Sequence, residues 1–531
     1  MQKYKYWFLT ILGSVVWSLT MVKSGLIYKY GMGFWGANGH DGVWHISLIN
    51  SLSRGSLEMP IFAGEQIHNY HLGFDIFVAL LVRLTGISSQ LWYFQILPPI
   101  FAILIGYLIY KLTRSLWSVF FVYFGGSLGW IVSWIRNGTW GGESMFWSQQ
   151  AISTLINPPF AMSLIFLLTG LILLRNKKYF WATIIFGLVG SIKIYAGIIG
   201  LTGLAIGGLR NPKLLLVFLG SSILSFLLFI PLNSNASNLL VFQPGWFLET
   251  MMGLSDRLNW PKFYSAMVNY KSGKNLPKEF LAYTVALLVF IVGNLGTRLI
   301  PLFRKFNIQK ITWFDIFILQ ACLLGVFFPM LFLQAGTPWN TIQFFYYTQF
   351  FIALVAGISL SKINNKFISV LIIVLTIPTT INTMNNYLPA RPPAMISTSE
   401  LEALKFFHSL PSGVILTPVV NSEPYAEPPR PLYLYTSTAY VSAFSGHQVF
   451  LEDEINLDIT GYPWRERRKE VEVFFNLTDI SKAREFLNQN NIDYIYLPQI
   501  SQIRPKLSDT QLGFQTIFEN SQSAIWSRVG N

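Results

Sequence analysis

Residues 71–86 read HLGFDIFVALLVRLTG, and the fold of the whole chain turns on whether this stretch crosses a membrane. A helix of this length reaches about 24 Å, short of the roughly 30 Å of a bilayer's hydrocarbon core. It also carries Asp75 and Arg83. Such a segment is expected to lie in the interface with its apolar side toward lipid. If it does not cross, the basic clusters of the chain agree with one another. KLTR (111–114), RNKK (175–178), RNPK (210–213), RLIPLFRKFNIQK (298–310) and SKINNK (361–366) then all fall on the cytoplasmic side, where Lys and Arg accumulate.

Apolar runs of spanning length occur at 6–22, 91–110, 116–135, 158–174, 213–232, 280–297, 312–334, 341–360 and 367–384. The run 179–209 is too long for one ordinary span and is interrupted by Lys193, so two helices are expected to meet there. The total is about eleven spans. No small-residue cleavage site follows YWFLTILGSVVWSLTMV (6–22), which therefore reads as a first span and not as a removed signal. This topology puts the N-terminus in the cytoplasm. It puts loops 23–90, 136–157 and 233–279, and everything after about 385, on the outer face.

The composition agrees. The chain is 52% hydrophobic and 12% charged, against about 25% charged for soluble domains, which implies a polytopic membrane protein, with the cytoplasmic (plasma) membrane as its expected location. Through Tyr387 there are 26 Lys and Arg against 9 Asp and Glu, and beyond it 12 against 16. The basic excess thus belongs to the membrane part, where it reports topology and anionic head groups and not nucleic acid. A single cysteine, Cys322, excludes a disulfide framework and a cysteine metal site. The division of texture predicts a transmembrane module over 1–387 and a soluble extracytoplasmic α/β domain over 388–531. In the tail, SELEALKFFHSL and SKAREFLNQNN have helical spacing, and GVILTPVV, DYIYLP and AIWSRV are short β-type runs.

Polar chemistry concentrates in GANGHDGVWHISLINSLSRGSLEMPIFAGEQIHNYHLGFD (36–75), which holds Asp41, Glu65, Asp75 and four of the six histidines, His40, His45, His68 and His71. The part HDGVWHISLINSLSRG reads as an amphipathic helix resting on the bilayer. Asp41 and His45, four apart, share a face at its start. Asp41 is then either a simple N-cap or a general base at the membrane surface. Glu65, His68, Tyr70, His71 and Asp75 suit either a divalent metal or hydrogen bonding to sugar and phosphate, and His71 and Asp75 are spaced to pair. Loop 136–157 has one acid, Glu143, between Trp140 and Trp147, which read as interface anchors or as platforms for a sugar ring. Lys193 lies within FGLVGSIKIYAGIIG, and a lysine in such a setting has a partner or a task. Arg257, Lys262, Lys271, Lys274 and Lys278 add positive charge to the 233–279 loop, which calls for an anionic partner such as a lipid phosphate.

In order along residues 6–210, these features resemble the GT-C superfamily of membrane glycosyltransferases, in particular the protein O-mannosyltransferase and lipid A aminoarabinose transferase type. The likeness rests on HDGVWH, VRLTG (82–86), YKLTR, GGESMFW and GLVGSIK. It implies inverting transfer of a sugar from a polyprenyl-phosphate donor to a glycan, lipid or protein acceptor on the outer face. On that pattern Asp41 is the base, and Lys193, with Arg257 and Lys262, holds the lipid phosphate. His45, Glu65, His68, Tyr70, His71, Asp75 and Glu143 then contact acceptor or sugar. Two features depart from the pattern: the usual pair of adjacent acids is a lone Asp41 preceded by His40, and the histidines of IHNYH lie outside it. Acceptor type and metal dependence stay open; no cofactor is required, with a divalent metal as the alternative. The competing readings are a transporter or flippase of lipid-linked glycans, a metal-dependent hydrolase built on His45, His68 and His71, and a non-enzymatic protein of the same fold.

Overall fold

The computed structural model describes residues 2–233, 240–303, 311–419, 427–435, 437–499 and 502–530. Contacts divide the chain into two units. One comprises Met1–Thr20, Pro98–Pro231 and Ser237–Leu388, the other Met21–Leu97, Leu232–Ala236 and Pro389–Asn531.

Seven described helices are long and apolar enough to cross a membrane: Ser89–Thr113, Pro158–Arg175, Lys213–Asn233, Leu276–Ile300, Trp313–Leu331, Pro338–Leu360 and Lys366–Asn385. They make this an integral membrane protein. The expected run 116–135 is broken. Leu116–Phe124 and Gly129–Asn137 meet at 45° and count as an eighth span if taken together. The remaining apolar elements are shorter: Gln2–Ser18 has 17 residues, and Tyr179–Ile192 and Ile194–Gly207 have 14 each. Length and composition therefore support seven or eight spans, and the figure of about eleven depends on these short helices.

The break at Lys193 is as the sequence suggested. Its backbone is extended (φ −155°, ψ 114°) between two helices. Those helices cross at glycine: a Cβ on Gly197 would stand 2.7 Å from the Gly190 Cα, so position 197 tolerates no side chain.

The 233–279 segment is more than a loop. Leu240–Phe242 pairs with Phe332–Gln334, and helices Trp246–Gly253 and Pro261–Ser272 pack on Leu276–Leu295 through Phe247, Met251, Met267 and Phe290. Trp147 belongs to this cluster, which corrects its reading as an interface anchor. Its indole N–H donates to Thr250 Oγ1 (2.9 Å), and its ring lies against Arg257 and Trp246. Residues 234–239 of that segment and 304–310 of the basic stretch 298–310 lie outside the described residues. Arg298, counted in that stretch, is a buried residue and not part of a solvated cluster.

In the second unit, residues 21–97 build one body with the tail, a grouping the sequence did not suggest. A four-stranded sheet takes Ile27–Tyr28 and Gly31–Phe34 from the N-terminal part and Ala394–Ser397 and Arg430–Pro431 from the tail. Met32 faces Ile396 across an antiparallel pair. A five-stranded mixed sheet runs in the order Phe514–Glu519, Ser523–Arg528, Ile492–Pro498, Val414–Leu416, Gln448–Val449, with helices Thr398–Phe406 and Ile480–Gln489 between strands. The alternation of helix and strand expected for the tail is present.

Two helices of this unit bear on function. Gly73–Thr85 has 13 residues, about 20 Å and too short to cross. Ile76, Leu80 and Leu84 form its exposed apolar stripe, while Phe74, Asp75 and Val78 point inward. The helix Asp41–Ser53 departs from expectation. Val43 to Ile49 are all buried, so it does not rest on a bilayer by one face. Its polar positions are met by the tail: Ser47 Oγ lies 2.8 Å from Ser442 Oγ, and Asn50 donates to the Ala443 carbonyl (2.7 Å). The partners of Ser47 and Asn50 lie almost 400 residues away in sequence, so local spacing could not show that these positions are met by protein.

Candidate functional site

Asp41 opens its helix and is exposed, whereas nearly everything after it is enclosed. The preceding residue fixes this start. The His40 Nδ1 meets the Ser437 carbonyl at 3.1 Å, its ring packs edge-on against Tyr435 (4.6 Å), and Thr438 donates to the Gly39 carbonyl (3.2 Å).

One turn further, His45 is buried and its Nδ1 lies 2.7 Å from Asp75 Oδ1. Asp75 is wholly buried and pairs with His45 across 30 residues. The His45 ring stacks on Tyr93 (5.6 Å) and meets Phe74 edge-on (5.7 Å). The charges of Asp41 and Asp75 both act on the Tyr93 hydroxyl.

The ring of one other sequence candidate, Tyr70, lies 6.2 Å from that of His45. Glu65 is exposed. His68 stacks on Tyr462 (4.1 Å), and its backbone N–H donates to the Tyr462 hydroxyl. Tyr70 is half-buried between Trp44 and His71. Among the described residues no three His, Cys, Asp or Glu gather as a metal-binding group. His45, His68 and His71 thus do not form the three-ligand set a hydrolytic metal would need.

Sequence reasoning missed the acids that the tail brings to this neighbourhood. Asp453 has left-handed backbone (φ 51°) and caps helix Glu454–Thr460 by accepting from the Asn456 N–H (3.2 Å). Glu452 accepts from the backbone N–H groups of Val441 (2.6 Å) and Ser442 (3.0 Å). Nothing in LEDEINLD separates these acids from a solvated run, so there was no signal to find. Burial pushes Glu452 up to about 8, against the hydrogen bonds from Ser442 and Val441. It pushes Asp453 up to about 7, with the charge of Asp41 adding to the rise.

Unfolded, both would titrate near pH 4. Between about pH 4 and pH 8 the folded protein therefore holds protons the unfolded chain has lost. Their stabilisation is full below pH 4 and is lost as pH rises to 8, by at most about 1.4 kcal/mol per pH unit for each proton. Thermal unfolding is expected to show a midpoint that falls from pH 5 to pH 8, and a shallower fall in Glu452→Gln. Identical slopes in the two proteins would mean that Glu452 is already ionised in the folded state.

The membrane unit holds the remaining candidates. The Lys193 Nζ is buried and lies 3.4 Å from Asn157 Oδ1. Asn157 borders a small cavity whose polar walls include Gln150, Ser153, Gln349 and Arg298. Arg298 is 1% exposed and donates to Gln150 Oε1 (2.7 Å) and to the Leu295 carbonyl (3.0 Å). Glu143 accepts from the Gln150 N–H (2.9 Å), Ser153 Oγ (2.7 Å) and Thr383 Oγ1 (2.8 Å), so its carboxylate already has three internal donors. Burial raises its pKa despite those bonds. Arg257 pairs with Asp256 (2.9 Å) and Lys271 with Glu249 (2.7 Å), while Lys262 is exposed.

No family model and no curated protein sequence matches the chain. Solved structures do. The oligosaccharyltransferase of Archaeoglobus fulgidus, in complex with Zn and sulfate, is similar over 92% of this chain and 68% of its own, at 12% identity and a TM-score of 0.49. AglB from Archaeoglobus fulgidus, in complex with an inhibitory peptide and a dolichol-phosphate, is similar over 93% and 69%, at 11% and 0.48. ArnT from Cupriavidus metallidurans in the apo state is similar over 98% and 97%, at 12% and 0.39. These neighbours are membrane glycosyltransferases of the GT-C superfamily.

Proposed function

We propose that this protein transfers a sugar from a polyprenyl-phosphate donor to an acceptor hydroxyl on the outer face of the membrane, with inversion at the anomeric carbon. The observation that carries the reading is Asp41, an exposed carboxylate at the head of an otherwise buried helix whose start is tied down by His40. Asp41 accepts the acceptor's hydroxyl proton as that oxygen bonds to the anomeric carbon. The bond from the anomeric carbon to the phosphate oxygen breaks, and its electron pair leaves with the lipid phosphate. Lys193 holds that phosphate, with Arg257 and Lys262 attracting the anionic lipid. His45 and Asp75 keep the Asp41 helix in place, and the more accessible Glu65, His68, Tyr70 and His71 border the acceptor. The N-terminus is cytoplasmic and the tail extracytoplasmic in this reading.

Mass spectrometry of lipids that copurify with the Asp41→Asn protein in mild detergent tests the proposal. Blocked turnover should trap the donor, so a polyprenyl phosphate bearing a sugar is expected. Phospholipid alone, from a folded sample, would overturn the donor assignment.

A further inference from the structure

We propose that the groove between helices Gly129–Asn137 and Leu276–Leu295 binds an anionic glycerophospholipid, with an acyl chain lying between the helices and its phosphate on Arg136. The proposal goes beyond the transfer reading and does not depend on it.

The groove follows from the break in the span. The 45° bend turns the helix Gly129–Asn137 away from the line of Leu116–Phe124. Hydrogen bonds then close the gap at both ends. At one end the Leu128 N–H donates to the Gly293 carbonyl (2.7 Å), and at the other the Arg136 guanidinium donates to the carbonyls of Leu258 and Asn259. Between them a space of about 670 Å³ is left, within the usual range of a ligand site.

Its walls are apolar. Leu128, Ile131 and Val132 share one helix face with Arg136, at spacings of three and four, and Leu288, Val289 and Val292 line the other side. The Phe146 ring makes the floor beneath Gly293, where a Cβ would stand 2.7 Å from it. Leu288 is 56% exposed and Val292 44%. Such walls give water no hydrogen bonds, and in a spanning unit the apolar filler at hand is a lipid chain.

Length and charge select the lipid. From Leu128 to Arg136 the helix rises about 12 Å, within one leaflet's share of the hydrocarbon core, about 15 Å. An acyl chain fits that depth. A polyprenyl chain would overrun it, and Lys193, which holds the donor phosphate in the reading above, does not line the groove. Arg136 is the charged residue that does. Its partners among the described residues are carbonyl oxygens, which leave its charge uncompensated and ready for a phosphate. Trp134, Trp140 and Trp260 are exposed at that end, as indoles at head-group level are.

Native mass spectrometry of the full-length protein, delipidated in detergent and titrated with phosphatidylglycerol, phosphatidylcholine or undecaprenyl phosphate, tests this. Leu288→Trp fills the groove from a lipid-exposed position, and Val292→Phe fills it one turn further on. Each should remove one bound phosphatidylglycerol per chain and leave the unfolding midpoint of the lipid-free protein unchanged. For that lipid the wild type should favour phosphatidylglycerol over phosphatidylcholine about fivefold, the worth of one basic residue at a lipid surface. Arg136→Gln should erase the preference and Arg136→Lys should keep it. The proposal falls if both filled variants bind as many lipids as the wild type, if the wild type shows no preference, or if Arg136→Gln retains it. Displacement of the phosphatidylglycerol by undecaprenyl phosphate would give the groove to the donor and overturn the proposal as well.

Discussion

Asp41→Asn is expected to lower sugar transfer by about 10²–10⁴-fold, the usual worth of a positioned general base. Asparagine keeps the size of the side chain and can still accept a hydrogen bond at the head of the helix. It cannot take the proton of an attacking hydroxyl. Because Asp41 is exposed and the helix is held by its buried face, by His40 and by the His45–Asp75 pair, the unfolding midpoint should stay close to that of the wild type. Transfer in proteoliposomes supplied with lipid-linked sugars, read beside thermal unfolding, checks both halves. Activity within tenfold of the wild type would remove Asp41 as the base.

Arg298→Met is expected to destabilise the membrane unit by at least about 3 kcal/mol, since each buried acceptor left unpaired costs about 1–3 kcal/mol. The guanidinium serves the carbonyls of Gly126, Asn294 and Leu295 and the side chain of Gln150 at once. It thereby ties the break after Phe124 to the polar segment around residue 150 and to the end of the helix Leu276–Leu295. Arg298→Lys should recover only part of the loss, because an ammonium cannot reproduce the planar fork. Denaturant unfolding in detergent, with limited proteolysis across 125–157, measures both. An unfolding midpoint for Arg298→Met equal to that of the wild type would mean that water replaces the guanidinium without cost.

The sequence by itself determined the elements. Apolar runs long enough to span, the charge inside 71–86 and the break at Lys193 follow from local composition, because a membrane helix must satisfy its own backbone wherever its neighbours lie. The helical and strand-like runs of the tail were legible for the same reason, and so was Asp41, whose position at the head of a helix is a local property. What only the tertiary structure decided is which polar residues meet. Asp75 pairs with His45 across 30 residues, Ser47 and Asn50 face the tail, Trp147 enters a core, and Arg298 leaves a basic cluster for a buried network. The acids at 452 and 453 come to the neighbourhood of Asp41 by the same route. A buried polar group must find a partner, and when that partner comes from hundreds of residues away no local pattern records it.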